Sequence, residues 1–281
     1  MAISVSAKKT LLVIIVAAIV LPIAGVLLVP APEHTVSITA GQFPGSMATA
    51  ILESVFYVGA AILFVTGLRS FKERLQRLYG AICAALVLTS IVSLQVPFLI
   101  AYDIFNGPWV RAGGIGLPNT IAAIIFYTSL YLFAKIIGKQ NRLLSPLVVW
   151  LTAVAVALIS ALAQTAITPF GFAAEVAGTV FAWAGALLAL LVRKHIGAAY
   201  TKAMKWLAIS CAVLGAAYAV GSGYDFFFRA ADPGLGFLYT MASIMFVVAG
   251  YSFRKISDQQ VSKERREMPL PLLKLLPMLP A

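Results

Sequence analysis

Apolar runs of about twenty residues, each closed by a short charged loop, recur along this chain from Thr10 to Phe253. No other feature narrows the fold as far. A run of that length buried in lipid has no water to satisfy its backbone N–H and C=O groups, so it must satisfy them within itself as a helix. The alternation of apolar and polar residues that a membrane barrel would need is absent. Composition agrees: 61% of the 281 residues are hydrophobic and 11% charged, against about 25% charged in soluble domains.

The pattern predicts eight spans: Thr10–Val29, Met47–Leu68, Ala81–Ala101, Asn119–Ile137, Pro146–Gln164, Ala174–Val192, Trp206–Gly223 and Leu235–Phe253. The first follows Lys8 and Lys9 and ends in Val-Pro-Ala-Pro. It is longer than the apolar core of a signal peptide and lacks a small-residue cleavage site, so it is read as an uncleaved first helix. Pro22 within it acts as a kink.

Charge then orients the spans. On one side of the expected membrane lie 19 of the 21 Lys and Arg residues, and on the other only Arg111 and Arg229. Positive charge collects on the cytoplasmic face, so both termini are expected there, in the cytoplasmic (plasma) membrane. The net charge of +11 therefore reflects attraction to an anionic leaflet and not nucleic acid. Beyond the bilayer itself, the partner expected is a protein engaged through Ser257–Ala281. This tail passes from a charged segment at Lys263–Glu267 to a stretch with four prolines in Pro269–Pro280, too proline-rich for a long helix.

The chain also repeats itself. Gly114–Ile136 and Gly234–Ile256 match at 10 of 23 positions without a gap, including Gly116/Gly236, Thr120/Thr240, Phe126/Phe246, Tyr131/Tyr251 and Lys135/Lys255. Weaker echoes pair Tyr102-Asp-Ile-Phe with Tyr224-Asp-Phe-Phe, and Glu53 with Glu175. An internal duplication follows. The fold class expected is all-α, a polytopic bundle of eight transmembrane helices in two tandem parallel four-helix repeats. Residues 1–256 form one transmembrane domain (repeats at about 10–143 and 145–256), and 257–281 the cytoplasmic tail. With four helices each, the halves enter the membrane in the same direction, related by an axis along its normal.

Gly116, Thr120, Ile124, Tyr131 and Lys135 share one helical face, as do Gly236, Thr240, Ile244, Tyr251 and Lys255. Two readings stand for this face: a cavity between the halves with Thr and Tyr hydroxyls as handles, or close packing with snorkelling lysines. Acids inside or bordering the spans are functional candidates because lipid penalises them. The candidate ligand-binding set is Glu53, Asp103, Asp225, Thr120, Thr240, Tyr131 and Tyr251. Asp103 and Asp225 each have an arginine near in sequence, so ion pairs that fix loops explain them equally well; Gln95 and Gln164 read as interhelical hydrogen-bonders.

Catalytic chemistry has little support. His34 and His195 are the only histidines, and Cys83 and Cys211 read as small core residues. No metal-ligand spacing, phosphate loop or nucleophile elbow occurs. No catalytic or metal-ligating residue and no cofactor is therefore nominated. The function expected is a small-molecule or ion translocator with its path between the repeats, as in many transporters. The alternatives are a non-catalytic, quinone-binding membrane anchor subunit of a larger complex, or a membrane-embedded sensor. The four-plus-four layout is shared with some quinone-reactive anchor subunits, a likeness of architecture alone.

Overall fold

The computed structural model describes residues 44–67, 73–101, 116–163, 169–227 and 233–267. Among them the chain forms seven α-helices: α1 (Pro44–Gly67), α2 (Glu73–Ala101), α3 (Gly116–Ile136), α4 (Pro146–Ala163), α5 (Pro169–Arg193), α6 (Ala198–Phe227) and α7 (Pro233–Glu267). A short 3-10 turn, Arg142–Leu144, lies between α3 and α4. These correspond to the second through eighth expected spans; the first, Thr10–Val29, lies outside the described residues.

Four stretches are long and apolar enough to cross a membrane: Ala50–Gly67, Leu78–Gln95, Gly116–Ile136 and Ala174–Arg193. α4 contributes a shorter apolar run, Pro146–Ile159. These helices are compatible with a multi-pass membrane protein. The outer surface agrees, for α1 exposes Ile51, Leu52, Val55, Val58, Ile62 and Val65 in one stripe, and α5 exposes Trp183 and Leu187. A protein surrounded by water rarely shows so much contiguous apolar surface.

Several helices outrun the spans expected of them. α2 begins at Glu73 and α6 at Ala198, inside stretches expected to be charged loops, and α7 continues to Glu267. Hydropathy registers where lipid begins, whereas helix propensity continues through the Lys, Arg, Gln and Glu of these flanks. α7, with 35 residues, is about 52 Å long against a hydrocarbon core of about 30 Å. Its Arg254–Asp258 pair, 3.8 Å apart and exposed on both sides, adds little stability.

The helix ends follow local rules. α1, α4, α5 and α7 all begin on proline, whose missing N–H costs nothing in a first turn. α3 stops at Gly138, where φ is +69°. There the Gly138 N–H reaches the Lys135 carbonyl at 3.1 Å and the Lys139 N–H reaches that of Ala134 at 2.9 Å, the paired bonds of a Schellman cap. Asn141 then caps the 3-10 turn through its Oδ1, which accepts from the Leu143 N–H at 2.9 Å.

Packing closes six helices into a ring. Going round it, α1 meets α2, α2 meets α3, α3 meets α5, α5 meets α6, α6 meets α7, and α7 returns to α1. α4 stands outside, packed mainly on α5, and gives the core only Val149 and Ala153. Close approach depends on small residues: a Cβ at Gly250 of α7 would lie 3.0 Å from Leu63 Cβ and 3.2 Å from the Ala60 carbonyl oxygen. Gly215 of α6 leaves room for the Trp183 indole, whose Nε1 donates to the Ala212 carbonyl at 3.2 Å.

Candidate functional site: the polar end of the ring

The interior of the ring is filled mostly by aromatic side chains. Phe126 of α3 and Phe246 of α7 stack at 5.0 Å with 16° between their planes, and Tyr57 of α1 lies 6.0 Å from Phe246. All three are buried. Phe126 and Phe246 are matched positions of the two similar stretches, so here each residue meets its own counterpart.

Polar groups gather at the end where α1, α3, α5 and α7 begin and where α2 and α6 finish. Glu53, on the third turn of α1, is 7% exposed. Its Oε1 accepts a 2.6 Å hydrogen bond from the Ser93 hydroxyl of α2. One residue along α1, Ser54 and Ser90 approach with their hydroxyl oxygens 2.8 Å apart, and each also reaches the other's carbonyl, at 3.1 and 3.2 Å. α1 and α2 are thus joined by a ladder of hydroxyls that holds the Glu53 carboxylate in a fixed position.

Tyr57 lies one turn further along α1. It is fully buried, and its Oη has no hydrogen-bond partner among the described residues. Opposite, the Tyr218 hydroxyl of α6 donates to the Asn119 carbonyl of α3 at 3.3 Å, and the Tyr218 ring lies 5.8 Å from that of Tyr239 on α7. Glu175 of α5 is partly buried and has contacts of its own. Glu53 and Glu175 both lie within electrostatic range of Tyr218 and Tyr239. Two acids, one from α1 and one from α5, thus lie near one pair of tyrosines.

The remaining candidates have different surroundings. Thr120 is buried, with its hydroxyl 2.9 Å from the Gly116 carbonyl and within bonding distance of the Ala174 carbonyl, so it ties α3 to α5. Thr240 is partly buried and already engaged. Tyr131 is partly buried against Tyr127, with ring centroids 6.2 Å apart. Tyr251 is 60% exposed and stands about 18 Å along α7 from Tyr239. Asp103 lies outside the described residues, as do Arg111, Arg229 and Gln164. Asp225 belongs to the last turns of α6, and its side chain lies outside the described set.

Tyr57, Tyr218, Tyr239 and Asn119 were not singled out in the sequence. One signal was there: Asn119 and Tyr239 are matched positions of the similar stretches, polar in both though not identical. Among the described residues no group of three His, Cys, Asp or Glu side chains could hold a metal ion. No protein family, curated protein or solved structure matches this chain.

Proposed function

We propose that this protein is a translocator for a small solute, built from two parallel four-helix halves with its path along the seam between them. The observation that carries this reading is the polar cluster around Glu53. An acid buried in an apolar helix bundle is costly and is retained where it does work. A second acid, Glu175 of α5, lies within electrostatic range of the same tyrosines, Tyr218 and Tyr239.

The helix order supports the division into halves. Exchanging α1, α2 and α3 for α5, α6 and α7 turns each contact of the ring into another contact of the same ring. Phe126 stacked on Phe246 is what an axis between the halves would produce. The charge asymmetry supports a plasma-membrane protein with both termini in the cytoplasm, and the polar cluster then lies nearer the outer face.

The test is charge movement in proteoliposomes on a solid support, challenged with concentration jumps of small inorganic ions and charged organic solutes. At least one solute is expected to give transient currents absent from empty liposomes and lost in Glu53→Gln. Correctly inserted protein that responds to none of them would refute the translocator reading. One observation favours the anchor-subunit alternative: α7 runs on to Glu267 as a charged helix beyond its apolar part, a suitable post for a cytoplasmic partner. Co-purification of a discrete partner that is lost on deleting residues 257–281 would support that role instead.

A further inference from the structure

Outside the ring, α4 leaves a trough open on the flank of the bundle. It packs mainly on α5, so a groove of about 600 Å³ remains between α4 and α6, within the size range of ligand sites. Val148, Thr152 and Val156 of α4 form one wall, and Val180, Ala184 and Leu187 of α5 line the floor. The opposite wall is the Trp183 indole, seated over Gly215 of α6 and bonded to the Ala212 carbonyl at 3.2 Å. Val148, Trp183 and Leu187 are exposed, so the groove opens sideways, where lipid lies.

Its lining favours hydrocarbon. The hydroxyls of Thr152 and Thr179 donate to the carbonyls of Val148 and Glu175 in their own helices, at 2.8 and 3.2 Å, and the Trp183 N–H is spent on Ala212. A polar guest finds no ready donor among these groups. From Val176 to Leu187 the floor covers about 16 Å of helix, close to half of a hydrocarbon core of about 30 Å. That is the depth of one leaflet.

One end of the groove is strongly basic. Leu143 and Leu144 line that end, next in the chain to the exposed Arg142. Arg193 closes α5 about 9 Å beyond Leu187. The stretches that join helices here, residues 135–145 and 193–205, carry three and four Lys or Arg and no Asp or Glu. The other charged flanks, residues 69–77 and 254–267, mix acids among their bases. Uncompensated positive charge is therefore concentrated at the mouth of the groove. Basic pockets between spanning helices on the cytoplasmic side collect anionic headgroups, and the arginine fork suits the oxygens of a phosphate.

We infer that this flank binds an anionic phospholipid of the cytoplasmic leaflet. One acyl chain lies in the groove against Val180 and Leu187, and the phosphate rests at Arg142, with Lys139 and Arg193 adding charge. The site is separate from the ring interior and rests on the membrane orientation alone, not on the translocator reading.

The test is native mass spectrometry of the full chain in detergent, titrated with dioleoylphosphatidylglycerol. Dioleoylphosphatidylcholine serves as the zwitterionic control and inorganic phosphate as the free-anion control. The first phosphatidylglycerol is expected to bind about fivefold or more tighter than phosphatidylcholine, undisturbed by phosphate. A basic residue near the surface is worth about fivefold, so Arg142→Gln should weaken binding by about that factor. Thr152→Trp, which fills the groove, should weaken it at least as much. Both positions are exposed, so these variants keep the fold. Lys255→Gln removes an equal charge from an exposed position on α7 and should leave binding unchanged. Equal affinity for the two lipids, indifference to either Arg142→Gln or Thr152→Trp, an equal loss in Lys255→Gln, or displacement by phosphate would each overturn the inference.

Discussion

The stack of Phe126 on Phe246 makes a quantitative prediction about the centre of the ring. In a bundle bathed by lipid, truncating a core side chain loses little transfer energy, because lipid is as apolar as the interior. What remains is the void. Removing a phenyl ring leaves on the order of 100 Å³, which at about 24 cal/mol per Å³ costs about 2.4 kcal/mol. Phe126→Ala and Phe246→Ala should each destabilise the fold by about that amount. If the rings touch, the second truncation removes no stacking energy already lost with the first. An aromatic pair contributes about 1 kcal/mol beyond burial, so the double variant should lose about 4 kcal/mol where additivity gives about 5. The assay is SDS titration in mixed micelles, following the thiols of Cys83 and Cys211, both buried, with a fluorogenic maleimide. Single losses that sum to the double within about 0.3–0.5 kcal/mol would show that the rings do not interact. The reading of a central axis through them would then fail.

Other parts of the fold invite simpler checks. A Cβ at Gly215 would sit 2.4 Å from Trp183 Cδ1, so Gly215→Ala should lower stability by about 1–3 kcal/mol through overpacking. Most of that loss should return when Trp183→Leu is added, as read in the same titration. Ser54→Ala and Ser90→Ala break the hydroxyl ladder between α1 and α2 and should each cost only about 0.6 kcal/mol, the usual yield of an interhelical hydrogen bond in membranes. Gly138→Ala forces a Cβ into a left-handed backbone and should cost about 1–2 kcal/mol in the same titration.

Much of the local structure was legible in the sequence. Apolar runs had to be helices, and seven of the eight expected runs fall on described helices, four of which are long and apolar enough to cross a membrane. Pro146 marked one helix start, while the helices expected to begin at Met47, Ala174 and Leu235 begin earlier, on Pro44, Pro169 and Pro233, and the charged flanks did not mark where helices end. Glu53 could be singled out because an acid is conspicuous in an apolar run. Tyr57 and Tyr218 could not, since tyrosine is ordinary both at membrane interfaces and in packed cores; Tyr239 carried only its match to Asn119.

What tertiary structure alone decided is which face of each helix turns inward. In a water-soluble bundle the polar face identifies the outside, but here the surroundings and the interior are both apolar, so hydropathy carries almost no directional signal. Tyr251 and Tyr131 share a helical face with Thr240 and Thr120 in the sequence, yet Tyr251 faces outward and Thr120 is spent tying α3 to α5. Nothing in the order of the runs says that α3 skips α4 to pack on α5, or that α7 closes back on α1. Those contacts follow from the fit of surfaces: Gly250 against Leu63, Gly178 against Thr120 and Tyr218, and the two phenylalanines against each other. The sequence determined the helices and where charge must stay out of lipid. Side-chain complementarity, which exists only once the helices meet, brought Glu53, Tyr57, Tyr218 and Tyr239 to one end of the ring.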